Sequence, residues 1–360
     1  MPHYTNDLNG KTRMPVTNAF DFFIQLHLTE RCNLRCAHCY QTGRRIDEMS
    51  FGEIRDIVRE TSDMLESWKD SYGVEYSPSF NVTGGEPFLR KDLFAVLSEI
   101  KNAGFDVFLL TNGILIGPEE AKTLAGTGVG GVQISVEGPE KIHESIRGKG
   151  SFAGSMRGVS SLVDAGLRVT LNVTLSSVNA DHFMDTVDLS LRSGAHRLGF
   201  SRLVPSGKGL GLLDRMLSAE EVRNLYRRIF ALDTGNLKIV TGDPVASQYR
   251  YSDSVHDTGD VPSGGCAAGI SGLTILPDGT VVPCRRLPTP IGNVRRDALR
   301  EIWATSEVLE ALRDKRRYHG KCGSCPRWSQ CRGCRAIAYA FSQTKGNDDF
   351  LAEDPQCFIR

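Results

Sequence analysis

The stretch His27-Leu-Thr-Glu-Arg-Cys32-Asn-Leu-Arg-Cys36-Ala-His-Cys39-Tyr-Gln-Thr-Gly43 decides how the rest of the chain is read. It carries three cysteines at C-x3-C-x2-C, directly after an apolar run, Phe22-Phe-Ile-Gln-Leu-His-Leu28, that has the composition of a buried strand. The cysteines therefore lie on the loop leaving the strand's C-terminal end. Three thiolates on one loop can hold three corners of a cubane iron–sulfur cluster and leave its fourth iron without a protein ligand. An electron-transfer ferredoxin would normally fill that corner with a fourth cysteine, so an open corner suggests a small molecule on the metal. Two other readings of the spacing stand beside this one: a zinc site completed by His38, and three buried free cysteines.

The remaining cysteines are not scattered. Of ten, three fall at 32–39 and seven between 266 and 357, with none at positions 40–265. Packing cysteines would be spread out, whereas ligand cysteines cluster. The polar start Met1-Pro-His-Tyr-Thr-Asn-Asp is not a signal peptide, and no run approaches 18 apolar residues, so a cytoplasmic location without membrane insertion is expected. In that reducing compartment a disulfide framework is not expected, and ligation is the reading for both groups. Lys+Arg and Asp+Glu both number 43, so no global field draws the chain to nucleic acid or an anionic membrane.

From residue 21 onward, short β-rich runs alternate with longer helical patterns. Strands are expected at 22–28, 79–83, 106–110, 131–135, 167–173 and 196–203, and helices near 50–68, 91–103, 118–126, 152–165, 180–192 and 218–231. Ser50-Phe-Gly-Glu53 has the form of a capping box for the first helix. Six β-α units in a row imply a parallel sheet with right-handed crossovers. Their span of about 210 residues is too short for a complete eight-fold barrel, so the expected fold is α/β, a partial (β/α)6 TIM-type barrel, with a flat doubly wound sheet as the alternative. The expected organisation is an N-terminal arm at 1–20, the barrel at 21–235, a linker or flap at 236–265, and a small cysteine-rich domain at 266–360. Within the last, Leu273-Thr-Ile-Leu276 and Thr280-Val-Val282 read as a hairpin, followed by helical patterns at about 297–317 and 333–342. The basic run Arg313-Asp-Lys-Arg-Arg317 reads as a solvated helix face without function.

In parallel β/α barrels, chemistry gathers at the C-terminal ends of the strands. The unusual residues of this chain sit there, one group per strand. After the cysteines come Thr83-Gly-Gly-Glu-Pro87, Thr111-Asn-Gly113, Ser135-Val-Glu-Gly138, then Asn172 within strand five, and Arg202-Leu-Val-Pro-Ser-Gly207. Alone, Gly-Gly-Glu-Pro or Asn-Gly is an ordinary turn. Their joint placement on one rim departs from chance.

The C-x3-C-x2-C loop with its Gly-Gly-Glu-Pro segment resembles the radical S-adenosylmethionine (SAM) superfamily over about residues 22–235. The resemblance implies that Cys32, Cys36 and Cys39 hold a 4Fe–4S cluster whose open iron is chelated by the amino and carboxylate groups of SAM. It places His38 at a usually aromatic position near the adenine, with Tyr40 following. Gly84, Gly85 and Glu86, with Pro87 and Asn112 beside them, would take the methionine ammonium, and Ser135 and Glu137 the ribose or methionine end. Arg147 would pair with the methionine carboxylate, and Asn172 and the Leu203-Val204 backbone would meet the nucleoside.

The distal cysteines, Cys266-x12-Gly279-x4-Cys284, Cys322-x2-Cys325-x5-Cys331-x2-Cys334 and Cys357, are similar to the SPASM extension of peptide-modifying members. That pattern implies an outer auxiliary cluster on Cys322, Cys325, Cys331 and Cys357, and an inner one on Cys266, Cys284 and Cys334. Two departures stand out. The last spacing is x2 where x3 is usual, and no further cysteine near 266–284 completes the inner set, which leaves its fourth iron to water, a non-cysteine residue or a substrate thiolate. A zinc ribbon on Cys322, Cys325, Cys331 and Cys334 is the alternative, and it leaves Cys266, Cys284 and Cys357 unexplained.

The activity implied is reductive cleavage of SAM, with the electron from a flavodoxin- or ferredoxin-type donor, to a 5′-deoxyadenosyl radical that abstracts substrate hydrogen. The first reading of the substrate is a ribosomally made peptide with a leader, modified by a thioether or carbon–carbon crosslink. The first strand begins near residue 21, so no N-terminal recognition domain is evident, and a separate peptide-recognition protein or direct docking is expected. Tetrapyrrole side-chain modification, sulfatase (formylglycine) maturation and a non-catalytic electron carrier are the other readings. No motif marks a general base; His143, Asp243 and Tyr249 are conceivable.

Overall fold

A computed structural model of the protein describes residues 19–41, 43, 46–250 and 260–359. Strand β1 (Phe20–His27) sends Phe22, Ile24 and Leu26 to one face and Gln25 and His27 to the other, and all five are buried. Burial on both faces is what a central strand of a parallel sheet requires. Helix α1 (Phe51–Tyr72) opens with the expected capping box: Glu53 N donates to Ser50 Oγ at 3.3 Å, and Ser50 N donates to the Glu53 carboxylate at 2.7 Å.

The chain continues through β2 (Tyr76–Thr83), α2 (Leu93–Asn102), β3 (Asp106–Thr111), α3 (Pro118–Thr127) and β4 (Gly131–Ser135). Then come α4 (Glu140–Arg147), α5 (Ser151–Asp164), β5 (Val169–Leu175), α6 (Phe183–Arg192), β6 (Arg197–Arg202), α7 (Ala219–Phe230) and β7 (Lys238–Val240). A short α8 (Ser247–Arg250) precedes β8 (Gly272–Ile275), β9 (Thr280–Val282) and β10 (Gly292–Asn293). The chain ends through α9 (Leu299–Thr305), α10 (Glu307–Arg313), α11 (Gly320–Ser324) and α12 (Arg335–Gln343).

The strands form one sheet in the order β10-β9-β8-β1-β2-β3-β4-β5-β6-β7. Strands β1 to β7 follow one another in sequence, all parallel. A doubly wound sheet would reverse its strand order partway, so the sequential order makes this the partial-barrel type of winding. All six expected strands are present, with ends shifted by a few residues.

The sheet does not stop at six. Strand β7 adds to β6, and β8 pairs in parallel with β1, Phe23 opposite Gly272 through Leu26 opposite Ile275. The hairpin of β8 and β9 is where the pattern put it, but the cysteine-rich segment thereby supplies a strand to the barrel sheet. Helix α4 was not foreseen. The helical pattern at 297–317 is broken at Ser306, whose side chain caps α10 by accepting from Leu309 N. Arg313 does not belong to a solvated face: Nε donates to Gly269 O at 2.8 Å, and the guanidinium lies 4.5 Å from the Trp303 ring centroid. Arg316 and Arg317 are exposed as expected. Of the linker, Pro244, Val245 and Ala246 are buried in a helical turn, while 251–259 lie outside the described residues, as does the arm up to residue 18. Among the described residues no helix is long and apolar enough to cross a membrane.

The C-terminal segment is fastened to the barrel by Arg202 at the end of β6. Arg202 Nε and Nη2 donate to Asp243 at 2.6 and 2.9 Å, and Nη1 and Nη2 donate to Asp354 at 2.9 and 2.8 Å. Tyr226 donates its hydroxyl to Asp243 at 2.6 Å, and Asp354 accepts Cys334 N at 2.8 Å and Gln356 N at 2.9 Å. Burial would raise the Asp354 pKa, but Arg202 and these donors hold it below the usual carboxylate range. Removing one partner strands the others without solvent. Asp354→Asn or Arg202→Met should therefore lower the unfolding free energy by about 3–5 kcal/mol, read by chemical denaturation.

Candidate active site

The cysteine loop is held on its rim by backbone contacts that leave no room for side chains. Gly85 N donates to Thr29 O at 2.7 Å and Glu86 N to Arg31 O at 2.8 Å. A Cβ on Gly85 would stand 2.2 Å from Arg31 O, so the Gly-Gly pair is there because two backbones must touch. Ala37 N donates to Ile146 O at the end of α4, at 2.8 Å. Lys208 N donates to Cys39 O at 2.8 Å, and a Cβ on the neighbouring Gly207 would meet Tyr40 O at 2.6 Å. Arg90, which no motif signalled, braces the loop from beneath: Nη1 donates to Leu28 O and Met49 O at 3.0 Å each, while Asp92 pairs with the rest of the guanidinium.

Glu86 is fully buried. Its oxygens accept from Thr111 Oγ1 at 2.7 Å, Asn112 N at 3.0 Å and Phe88 N at 3.2 Å. Burial raises its pKa, and the donors from Asn112, Thr111 and Phe88 oppose that rise. Asn112 Nδ2 in turn donates to Asn33 Oδ1 at 2.7 Å, inside the cysteine loop. Glu86 and Asn112 thus bind the loops after β2 and β3 to the cysteines. With donors on both oxygens, Glu86 braces the rim.

Glu137 is the second brace. Oε1 accepts His38 Nε2 at 2.9 Å and Arg147 Nε and Nη2 at 2.9 and 2.6 Å, and Oε2 accepts Thr174 N at 2.8 Å. Burial opposes ionisation, yet Arg147 and His38 outweigh it and hold the Glu137 carboxyl well below the usual range. Within the protein, Glu137 points the Arg147 Nη1 at Cys36 Sγ, 3.8 Å away. Arg147 is a half-buried neighbour of the cysteines rather than a free surface arginine. Asn179, another residue without a sequence signal, holds this corner through Nδ2 to Glu137 O at 3.1 Å and to Thr174 O at 3.0 Å.

Ser135 and Asn172 stand opposite each other on β4 and β5. Leu203 and Val204 are buried, with Leu203 N donating to Leu175 O at 2.9 Å. Pro87 is buried at the start of a helical turn. Of the conceivable bases, Asp243 is taken by Arg202, and Tyr249 donates to Arg223 O at 2.6 Å. His143 lies behind Glu137, where burial and Arg147 lower its pKa to about 4.

None of the ten cysteines is in a disulfide. Burial pushes Cys331 and Cys334 up to about 12 and raises Cys32, Cys36, Cys325 and Cys357. A thiolate in such surroundings needs a cation beside it, which a bound cluster would supply. Backbone N–H groups of Leu34, Arg327 and Gly333 stand 3.4 Å from the sulfurs of Cys32, Cys325 and Cys331, where they would support cluster thiolates. The distal seven lie within electrostatic reach of one another. After burial, Cys325 and Cys357 each feel the charge of Cys322, and Cys331 that of Cys357. Cys334 instead feels Cys266 and shares an apolar cluster with Cys284. Among the described residues no three or more His, Cys, Asp or Glu side chains converge as they would on a single metal ion, and His38 bonds Glu137 instead.

Residues 26–190 match the model of the Radical SAM superfamily, and residues 266–335 match that of SPASM, an iron–sulfur cluster-binding domain. The chain is 33% identical to the AdoMet-dependent heme synthase of Nitratidesulfovibrio vulgaris, over 93% of this chain and 91% of that one. It is 31% identical to mycofactocin maturase MftC of Mycolicibacterium smegmatis, over 87% and 77% of the two chains. The structure of Streptococcus suis SuiB bound to S-adenosylmethionine superposes with a TM-score of 0.72 at 18% identity, covering 95% of this chain and 78% of that one. The chain belongs to the radical SAM superfamily and is an enzyme of its SPASM type. Its cofactors are iron–sulfur clusters and SAM.

Glu137→Gln should lower SAM cleavage by about 10–100-fold, the usual effect of losing a partner behind a metal ligand. Because Glu137 acts through Arg147, the double substitution with Arg147→Met should cost little more than either alone, read as 5′-deoxyadenosine formed.

Proposed function

We propose that this radical SAM enzyme modifies a side chain of a tetrapyrrole. The observation that carries the reading is coverage: three relatives named AdoMet-dependent heme synthase are 33%, 31% and 29% identical over 93%, 94% and 93% of this chain and 91%, 96% and 86% of their own. A relative named Fe-coproporphyrin III synthase matches at 27% over 92% of this chain. The order expected from the cysteine pattern alone, peptide first and tetrapyrrole second, is thereby reversed. Modification of a leader-bearing peptide by crosslinking stays as the second reading, favoured by the 31% identity to MftC. The solved SPASM structures, near 18% identical, speak for the fold only.

In this reading Cys32, Cys36 and Cys39 hold the cluster that binds SAM, which on one-electron reduction supplies a 5′-deoxyadenosyl radical for hydrogen abstraction. The chain's residues prepare that site. The Gly84-Gly85 contact and the Glu86 brace set the loop's shape, and Glu137 aims Arg147 at Cys36. Ser135 and Asn172 offer polar groups near the strand ends. Cys322, Cys325, Cys331 and Cys357 would hold an outer auxiliary cluster, and Cys266, Cys284 and Cys334 an inner one. A flavodoxin- or ferredoxin-type protein would deliver the electron.

Anaerobically reconstituted protein should contain more than about eight irons per chain, since each cubane has four. It should release 5′-deoxyadenosine with dithionite, and Cys36→Ala should not. With iron coproporphyrin III present, mass spectrometry should show a product altered at a side chain. An unchanged porphyrin, with a short peptide modified instead, would transfer the assignment to the second reading.

A further inference from the structure

Four buried polar atoms near the barrel mouth have no hydrogen-bond partner: Gln25 Nε2, His27 Nε2, Ser206 Oγ and Arg286 Nε. Buried polar atoms are nearly always paired, so a group of unmade bonds asks what completes it. His27, Arg286 and the turn of Ser206 lie about one residue, Tyr40, with Gln25 beneath His27. The Tyr40 ring centroid is 6.2 Å from that of His27 and 5.8 Å from the Arg285 guanidinium carbon. Gly207, next to Ser206, packs against Tyr40 O. Arg286 reaches the same loop, donating through Nη1 to Arg202 O at 3.4 Å. Gln25 lies one step deeper on the same face of β1 as His27.

The arginines here differ from the others in the site. Arg90, Arg147 and Arg202 each have a carboxylate at 2.6 Å. Arg285 and Arg286 have none among the described residues, and nearby Asp243 is already held by Arg202. Arg286 lies toward Cys284 and Cys334, so part of its charge answers those sulfurs. Arg285 faces Tyr40 and His27 instead. It is half-buried, beside a ligand cysteine of the inner set and above the residue that follows Cys39.

We propose that Arg285, backed by Arg286, binds a carboxylate of the substrate in the space between Tyr40 and Cys284. A guanidinium fork suits a carboxylate, and the surrounding unpaired groups of His27, Gln25 and Ser206 would take further polar atoms of the same molecule. A carboxylate held there fixes the substrate between the SAM-binding cysteines and the inner set. The proposal rests on the tetrapyrrole reading for the identity of the acid, a carboxylate side chain of the macrocycle.

The test is an anaerobic absorbance titration of reconstituted holoenzyme with iron coproporphyrin III and, separately, with its methyl ester. Wild-type protein should bind the acid, and Arg285→Gln should weaken that binding by about 30-fold or more, as for losing one partner of a desolvated charge pair. Arg285→Lys should recover part of the loss. The ester should bind weakly and equally to wild type and variant. Variants are compared at equal iron content, and the Lys variant keeps a positive charge beside the inner set. Equal acid affinity in wild type and Arg285→Gln would overturn the arginine site while leaving the tetrapyrrole reading in place. Equal loss for acid and ester would also overturn it, because the arginine would then shape the cavity without reading charge. Failure of wild-type protein to bind either compound would overturn both.

Discussion

The Arg202 guanidinium lies between Asp243 and Asp354 with no access to solvent, and the relation between the two cysteine groups depends on it. Arg202 ends β6, and the loop that follows packs against Cys39 and Tyr40 through Lys208 and Gly207. Asp354 meanwhile accepts Cys334 N and sits three residues before Cys357. One ion cluster therefore sets the distal sulfurs against the rim that carries the proximal ones. Such a cluster contributes little net stability compared with apolar packing, but its geometry is exacting, because any displaced member is left charged and dry. A protein that must place separate redox centres in register gains more from that geometry than from bulk cohesion.

The same logic recurs at the cysteine loop. Glu86 and Glu137 are both fully buried, and both spend their oxygens on protein donors. Glu86 joins the loops after β2 and β3, and Glu137 joins α4, the loop after β4 and the end of β5. Neither carboxylate reaches outward. The site is shaped by carboxylates that face inward and by glycines that let backbones touch, and Arg285 and Arg286 stand beside it without an ion-paired carboxylate among the described residues. Function in this enzyme is therefore divided between elements that hold cluster ligands still and a small number of groups with bonds to offer.

Much of this was legible beforehand. The strand-then-cysteine pattern, the Gly-Gly-Glu-Pro segment and the second cysteine group are local signals, and they led to the parallel sheet, its sequential winding and the clustered ligands. The roles of Glu86, Glu137 and Arg147 were less legible. A motif names a residue at a strand end but not the direction its side chain takes. The protein partners of Glu137, namely His38, Arg147 and Thr174, could not be read from the motif. Arg90 and Asn179 had no motif at all, because each works by bonding backbone carbonyls whose positions only folding defines. The basic run at 313–317 misled for a related reason: charge suggested solvent, while the planar guanidinium of Arg313 found Trp303 and two carbonyls.

By itself the sequence determined the chemistry available to this protein: which thiols could bind iron, where strands and helices alternate, and which short segments would collect on one rim. These follow from spacing and periodicity, which act over a few residues. Only the tertiary structure decided that β8 closes onto β1, and that Arg285 faces Tyr40 without a carboxylate among the described residues. Those pairings join residues up to about 250 positions apart. They are set by which buried charges and backbone groups find partners once the sheet has formed, a competition that no local pattern encodes.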